Sequence, residues 1–317
     1  MDFLQLRRRE LTIFRRGAVL AGMQPCGMPS LKRLDIKTDE VYVCSFSVDG
    51  TRVLTGARGN PVQLWDVVSG RLLRDFGNPS VASWAVKWMD ERNVIFGTGD
   101  GSIVIADSET GRAIQTLRGH TGFVRALDAR QQTLISASGA GGAEVMLWNI
   151  AQGQRMGTLD GHADGVYAVA LNAARDRALS GSRDCSVRLW DVANRQCAAV
   201  LEGHTYHVQC VAWSGDEDHA ISCSRDIRLW DLKKNVCMRV FKGHAKTIRS
   251  VAWTADQSKV LSASYDATAR IWDAQTGRCL KVIDGHGFGL VNAVWSADFG
   301  SVYSCDWQGH IGQWPAS

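Results

Sequence analysis

The amino-acid sequence predicts an all-β fold, a seven-bladed β-propeller in which four-stranded antiparallel sheets close into a ring. Three observations predict it. Trp-Asp occurs at 65–66, 190–191, 230–231 and 272–273, with degenerate copies in register at Ala106-Asp107, Trp148-Asn149 and Trp314-Pro315. Their first members are 41, 42, 42, 40, 42 and 42 residues apart, which makes seven units. A second marker, Gly-His, recurs at 119–120, 161–162, 203–204, 243–244 and 285–286 with the same period. Each of these His residues precedes its Trp by 28 positions, or by 26 in the copy ending at Trp230. Third, each period divides into four short apolar or alternating segments separated by turn residues, which is how propeller blades read in sequence.

The unit from Gly161 to Leu201 shows the elements in order. Val166-Tyr-Ala-Val-Ala-Leu171 is an apolar, β-branched first strand, and Asn172 to Asp176 form a turn. Arg177-Ala-Leu-Ser-Gly-Ser182 is the second strand, followed by the polar turn Arg183-Asp184. Ser186-Val-Arg-Leu-Trp190 alternates as a half-buried third strand should, and Gln196-Cys-Ala-Ala-Val-Leu201 is the fourth. No long helical period competes with this pattern.

Composition sets further bounds. The chain has 317 residues, 45% of them hydrophobic and 21% charged, ordinary values for a globular protein with a large core. A formal charge of +4 is too small to suggest a nucleic-acid binder by itself. Of nine Cys, three (Cys197, Cys237 and Cys279) follow the repeat rather than a ligand cage, so they read as reduced strand residues and no metal is expected. Residues 1–30 form a basic extension (Arg7, Arg8, Arg9, Arg15, Arg16), and residues 31–317 form the repeat domain. The apolar stretch Gly17 to Gly22 is short for an export signal, and no apolar run reaches the roughly 18 residues of a membrane span. A cytoplasmic protein is expected.

A ring of sheets must cover its last edge strand. The seventh unit ends three residues after Trp314, so it lacks a fourth strand. Leu31-Lys-Arg-Leu-Asp-Ile36 matches Arg278-Cys-Leu-Lys-Val-Ile283 in position and is expected to supply it.

These recurring motifs resemble those of the WD-repeat family, and the resemblance covers residues 31 to 317. It bears on a set of groups that otherwise suggests hydrolytic chemistry. His162, Ser180, Asp184 and Trp190 return as His204, Ser222, Asp226 and Trp230, and again as His244, Ser262, Asp266 and Trp272. Ser, His and Asp together can make a nucleophile with its base and orienter, but an active site is needed once, not three times. The resemblance implies a buried structural tetrad instead, in which Asp and Ser satisfy His and Ser reaches the indole N–H. Ser182 is two residues from Ser180, and either could take part. The other units depart from the pattern. One has His120 and Ser136 with glycine-rich Gly139 to Gly142 in place of the Asp turn, and the last has His286 and Ser304 with Gln308 at the Asp position. Lys37 and Pro79 replace His in the first two units, the second of which keeps only Asp100, so those blades are expected to be the less rigid ones.

Other chemistry falls away. Gly139 to Gly142 lacks the Gly-Lys-Ser/Thr of a P-loop, and Gly97 to Gly101 opens a strand rather than a helix, so no nucleotide cofactor is expected. No enzyme is predicted. The resemblance places partner binding on the face carrying the turns between second and third strands and the entry to the first. The turn residues are Arg58, Gly99, Arg183, Arg225, Tyr265 and Trp307; the entry residues are Tyr42, Trp84, Arg125, Tyr167, Gln209, Arg249 and Val291. Arg58, Trp84, Arg125, Tyr167, Arg183, Arg225, Arg249, Tyr265 and Trp307 are the expected contacts, because Arg, Tyr and Trp dominate binding hot spots. The expected role is a scaffold in a multiprotein complex, taking an acidic or phosphorylated segment; the alternative is a nucleic-acid binder using the same rim and the basic N-terminus.

Overall fold

The computed structural model describes residues 32–33, 40–57, 60–77, 82–139 and 142–316. They form seven four-stranded antiparallel sheets. Blade one is Val41–Phe46, Arg52–Ala57, Gln63–Asp66 and Leu72–Asp75; blade two is Ser83–Trp88, Asn93–Thr98, Ser102–Asp107 and Ala113–Arg118. Blade three is Val124–Arg130, Thr133–Ser138, Val145–Asn149 and Gln154–Thr158; blade four is Val166–Leu171, Arg177–Ser182, Val187–Asp191 and Gln196–Leu201. Blade five is Cys210–Trp213, His219–Cys223, Ile227–Asp231 and Val236–Phe241; blade six is Ile248–Trp253, Lys259–Ser264, Ala269–Asp273 and Cys279–Ile283. Blade seven is Leu290–Trp295, Ser301–Asp306 and His310–Pro315, and the two-residue strand Lys32–Arg33 pairs antiparallel with the last of these through Lys32↔Ile311 and Arg33↔His310. The rest of the 31–36 segment, the basic extension 1–30, Lys37, Arg58 and Pro79 lie outside the described residues.

Burial follows position in the blade. The second strand Arg177–Ser182 is buried at five of its six residues because neighbouring blades cover both its faces. The fourth strand Gln196–Leu201 alternates exposed and half-buried residues up to a buried Leu201. Seven apolar clusters fill the seven gaps between adjacent blades. Ile221, Leu229 and Phe241 of blade five meet Ile248, Val260 and Trp272 of blade six, and Val41, Val53 and Trp65 of blade one meet Val291, Cys305 and Ile311 of blade seven. Each such side chain contributes about 2 kcal/mol by leaving water. This repeated packing closes the ring from both ends of the chain.

Polar ties span the same gaps. Trp88 Nε1 donates to Ser45 O at 3.1 Å, Trp213 Nε1 to Ala170 O at 3.0 Å, and Asn292 Nδ2 to Cys44 O at 2.9 Å. Buried Asp128 in blade three accepts from Lys87 of blade two and, at 2.8 Å, from the Leu171 N–H of blade four. One carboxylate thus holds three blades.

The third strand of blade four starts at Val187, one residue later than the sequence pattern suggests. Ser186 is taken by the turn: its N–H and its hydroxyl both donate to Asp184 Oδ1, at 2.9 and 2.6 Å. That turn holds Cys185 at φ +70°, and its counterpart in blade six holds Ala267 at φ +68°, where Gly101 (+82°) and Gly309 (+80°) stand in blades two and seven. Only glycine occupies this region without a Cβ penalty.

Candidate functional site

Two sets of side chains carry the chemistry of this ring, one inside the blades and one at the mouth of its channel. In blade four, His162 Nε2 is 2.6 Å from Ser180 Oγ, and Trp190 Nε1 donates to the same oxygen at 2.7 Å. Because Ser180 accepts from the indole, its proton goes to His162 Nε2, and His162 Nδ1–H then donates to Asp184 Oδ2 at 2.8 Å. Burial pulls the His162 pKa below its usual value against the influence of Asp184. For Asp184 burial acts upward, but donors from Ser186, His162 and the Ala163 N–H outweigh it and hold the carboxyl at about 2. Ser180 and Trp190 are fully buried. A serine whose proton is committed and whose oxygen is out of reach cannot act as a nucleophile.

Blade six repeats the geometry: His244 meets Ser262 at 2.7 Å and Asp266 at 2.8 Å, and Trp272 reaches Ser262 at 2.8 Å. In blade five His204 meets Ser222 at 2.6 Å and Trp230 reaches Ser222 at 2.8 Å. The turn there is two residues shorter, and Asp226 is drawn toward Arg228 Nε at 3.4 Å. His204 Nδ1 lies 3.0 Å from Asp226 Oδ1, but the alignment is poor and the nitrogen makes no hydrogen bond. The second serines are occupied elsewhere. Ser182 donates to Asp164 O at 2.9 Å, Ser224 to Tyr206 O at 2.8 Å and Ser264 to Thr247 O at 3.1 Å, so each ties down the loop before the first strand.

The structure completes sets that the sequence pattern leaves broken. In blade seven the carboxylate comes from Asp306, not from the Gln308 position: Asp306 Oδ2 is 3.0 Å from His286 Nδ1, while Ser304 joins His286 at 2.7 Å and Trp314 at 2.8 Å. In blade three Glu144 reaches His120 Nδ1 at 3.3 Å from beyond the glycine-rich turn, its longer side chain spanning the gap that a turn Asp would fill. Blade one keeps a remnant, with Trp65 Nε1 donating to Thr55 Oγ1 at 2.9 Å. Fixed offsets miss Asp306 and Glu144 because each moves by a few residues along the chain while reaching the same point in space. The signal to follow is any carboxylate between the Ser and the Trp.

At the channel mouth the entry residues of successive first strands come together. Tyr42 and Trp84 stack at 4.2 Å between centroids and 4° between planes, and Trp84 also meets Phe123 at 5.4 Å. The Arg125 guanidinium lies over the Tyr167 ring at 5.2 Å, and Arg249 lies over Tyr265 at 5.4 Å, with Trp307 5.8 Å from Tyr265. Arg249 donates to Gln209 Oε1 at 2.5 Å and, across to blade one, to Tyr42 O at 3.3 Å. On the outer rim exposed Arg225 sits over Tyr206 at 4.7 Å, and Tyr206 stacks on His207 at 4.3 Å. Arg183 pairs with Asp164 at 3.4 Å, so this one rim arginine has a carboxylate neighbour that the selected positions do not include. Phe123, Tyr206 and His207 are further members of the rim. They occupy the short stretch between Gly-His and the first strand, whose variability from unit to unit is their only mark in the sequence.

Among the described residues, no group of three or more His, Cys, Asp or Glu is arranged to hold a metal ion. No helix is long and apolar enough to cross a membrane.

The WD40 family model (WD domain, G-beta repeat) matches residues 153–191, 195–231 and 235–273, each of which carries the fourth strand of one blade with the first three of the next. The chain is 29% identical over 101 residues to the DENN domain and WD repeat-containing protein SCD1 of Arabidopsis thaliana, covering 32% of this chain and 8% of that protein. It is 32% identical over 94 residues to protein tipD of Dictyostelium discoideum (29% of this chain, 15% of tipD). To the pre-mRNA-splicing factor cwf17 of Schizosaccharomyces pombe it is 24% identical over 128 residues (39% and 37%). The matched segments span well under half of each relative's length. With the family model matched on consecutive repeats, and seven four-stranded blades packed in a ring, the chain is a WD-repeat β-propeller.

Proposed function

We propose that this propeller is a non-catalytic scaffold that docks a protein partner, through an acidic or phosphorylated segment, on the rim where its first strands begin. The observation that carries this reading is the concentration of Arg over aromatic rings at one mouth of the channel: Arg125 on Tyr167, Arg225 on Tyr206 and Arg249 on Tyr265. Stacked guanidiniums keep their planar donor fork presented to a carboxylate or phosphate, and large rigid aromatics add contact area at small entropic cost. WD-repeat propellers generally mediate protein interactions, which supports a place in a multiprotein complex. Replacing Arg183, Arg225 and Arg249 with Glu should abolish capture of the main partner in a pull-down while far-UV circular dichroism stays unchanged. Full capture by the triple variant would refute the reading.

A second reading draws on the stacked pairs Tyr42–Trp84 and Tyr206–His207, since bases of single-stranded nucleic acid stack on such platforms beside Arg. It predicts oligonucleotide affinity that falls steeply with salt. The small net charge of +4 favours the protein partner.

A further inference from the structure

Two of the channel arginines differ from those on the rim. Arg125 and Arg249 are half-buried, stand on blades three and six, and reach the same stacked pair of rings: Arg125 donates to Trp84 O and Arg249 to Tyr42 O, and the Tyr42 and Trp84 rings lie 4.2 Å apart. Burial first, and then the charge of Arg249, pull the Arg125 guanidinium down to about 10. Neither forms an ion pair among the described residues. Their polar partners are neutral: Trp84 O for Arg125 at 3.4 Å, and Gln209 Oε1 and Tyr42 O for Arg249. Arg249 Nε is buried and bonds to nothing. Rim arginine Arg183, by contrast, has Asp164, and Arg228 has Asp226.

Buried charges are ordinarily paired, because an uncompensated charge out of water is costly. A protein that holds two like charges together with unused N–H capacity has left a place for an anion. We propose that Arg125 and Arg249 form a binding site for one phosphomonoester group, the side chain of a phosphorylated serine or threonine on the docking partner. This rests on the docking reading above and names its anchor.

Charge decides between the two acidic chemistries. Two guanidiniums carry +2, and a phosphomonoester near pH 7 carries about −1.5 to −2, whereas a carboxylate would leave one positive charge buried without compensation. Three phosphate oxygens can also take a fork from each arginine, which two carboxylate oxygens cannot do as fully. Tyr167 and Tyr265 back the two forks, and the Tyr42–Trp84–Phe123 stack runs alongside as a surface for the neighbouring residues of the segment.

The test is titration of the full chain with inorganic phosphate, then with O-phosphoserine and with glutamate at matched ionic strength. Binding is read by thermal shift and by phosphorus NMR line broadening. Phosphate and phosphoserine should stabilise the parent and broaden, with glutamate well behind. Arg125→Met and Arg249→Met should each weaken phosphate binding about tenfold or more, the loss expected when a charged hydrogen-bond donor is removed. Arg112→Ala and Arg278→Ala, exposed and off the rim, should leave it within about twofold. No phosphate effect on the parent, glutamate equal to phosphoserine, or undiminished binding by the Met variants would each overturn the proposal. If a Met variant fails to fold, Arg125→Lys decides: it keeps the charge and loses the fork, and binding equal to the parent's counts against the site. Partner capture that survives both phosphatase treatment and Arg125→Met sinks this inference and leaves the docking reading standing. Absence of any captured partner sinks the docking reading, while the phosphate titration still judges this one.

Discussion

Asp306 lies fully buried with one carboxylate oxygen 3.0 Å from His286 Nδ1 and the same oxygen 3.0 Å from His310 Nδ1, so a single acid serves two histidines in the last blade. Its other oxygen takes the backbone N–H groups of Gln308 and His310, at 3.0 and 2.9 Å. Asp306→Ala should therefore cost about 3 kcal/mol, the usual penalty for breaking a buried charged network. Gln308→Ala keeps the backbone N–H that Asp306 accepts and should cost less. Urea unfolding of the two variants checks this, and a reversed order would mean that Gln308 rather than Asp306 supports His286.

Ser180 is the shared atom of blade four's network, taking the Trp190 indole and giving its proton to His162. Ser180→Ala leaves both without a partner in a space closed to water. We expect a loss of about 2–3 kcal/mol with no change in any binding activity of the rim, measured by denaturation and pull-down in parallel. Ser182→Ala, which frees two loop carbonyls and the Asp184 backbone N–H but no buried ring nitrogen, should cost less.

Acid should weaken the ring. The folded pKa values of His120, His162 and His204 are lowered, chiefly by burial, so between those values and about 6.5 the unfolded chain binds protons that the folded chain refuses. Stability is then complete above pH 6.5 and declines as pH falls. Asp184, held at about 2, adds a second loss in the same direction below its unfolded value near 3.8. Melting temperature should drop from pH 7 to pH 5 and more steeply below pH 4. A curve that is level or rising between 7 and 5 contradicts this assignment.

Cys185 and Ala267 occupy left-handed turn positions that glycine fills in other blades. Cys185→Gly and Ala267→Gly should each stabilise by about 0.5 kcal/mol, because the Cβ clash removed outweighs the freedom that glycine adds to the unfolded chain. Thermal melts of the single and double variants give the sign directly.

Deleting residues 31–36 should strongly lower the unfolding temperature if this segment clasps the last blade. Lys32 and Arg33 pair with His310 and Ile311, the edge that would otherwise stand open. A deletion variant that melts like the parent rules the clasp out.

Much of the fold was legible because period and alternation are properties of the chain itself. The Trp-Asp and Gly-His markers fix seven units, and the second strand shows as an apolar run because both of its faces are covered. The site was legible less evenly. His162, Ser180, Asp184 and Trp190 keep fixed offsets, so counting finds them. Asp306 and Glu144 reach their histidines from shifted positions, and only three-dimensional geometry finds those. The convergence of Arg125 and Arg249 is a relation between blades three and six, 124 positions apart, for which no local pattern exists.

No histidine precedes His120, so the buried His–hydroxyl link present in blades three to seven has no counterpart in blades one and two. The ring thereby acquires a polarity in time. Amide hydrogens of Arg52–Ala57 and Asn93–Thr98 should exchange with solvent before those of Arg177–Ser182 and Lys259–Ser264, although all four strands hold the same place in their blades. Such a molecule would come apart from one known sector, keeping the Arg249 side of its channel folded longest.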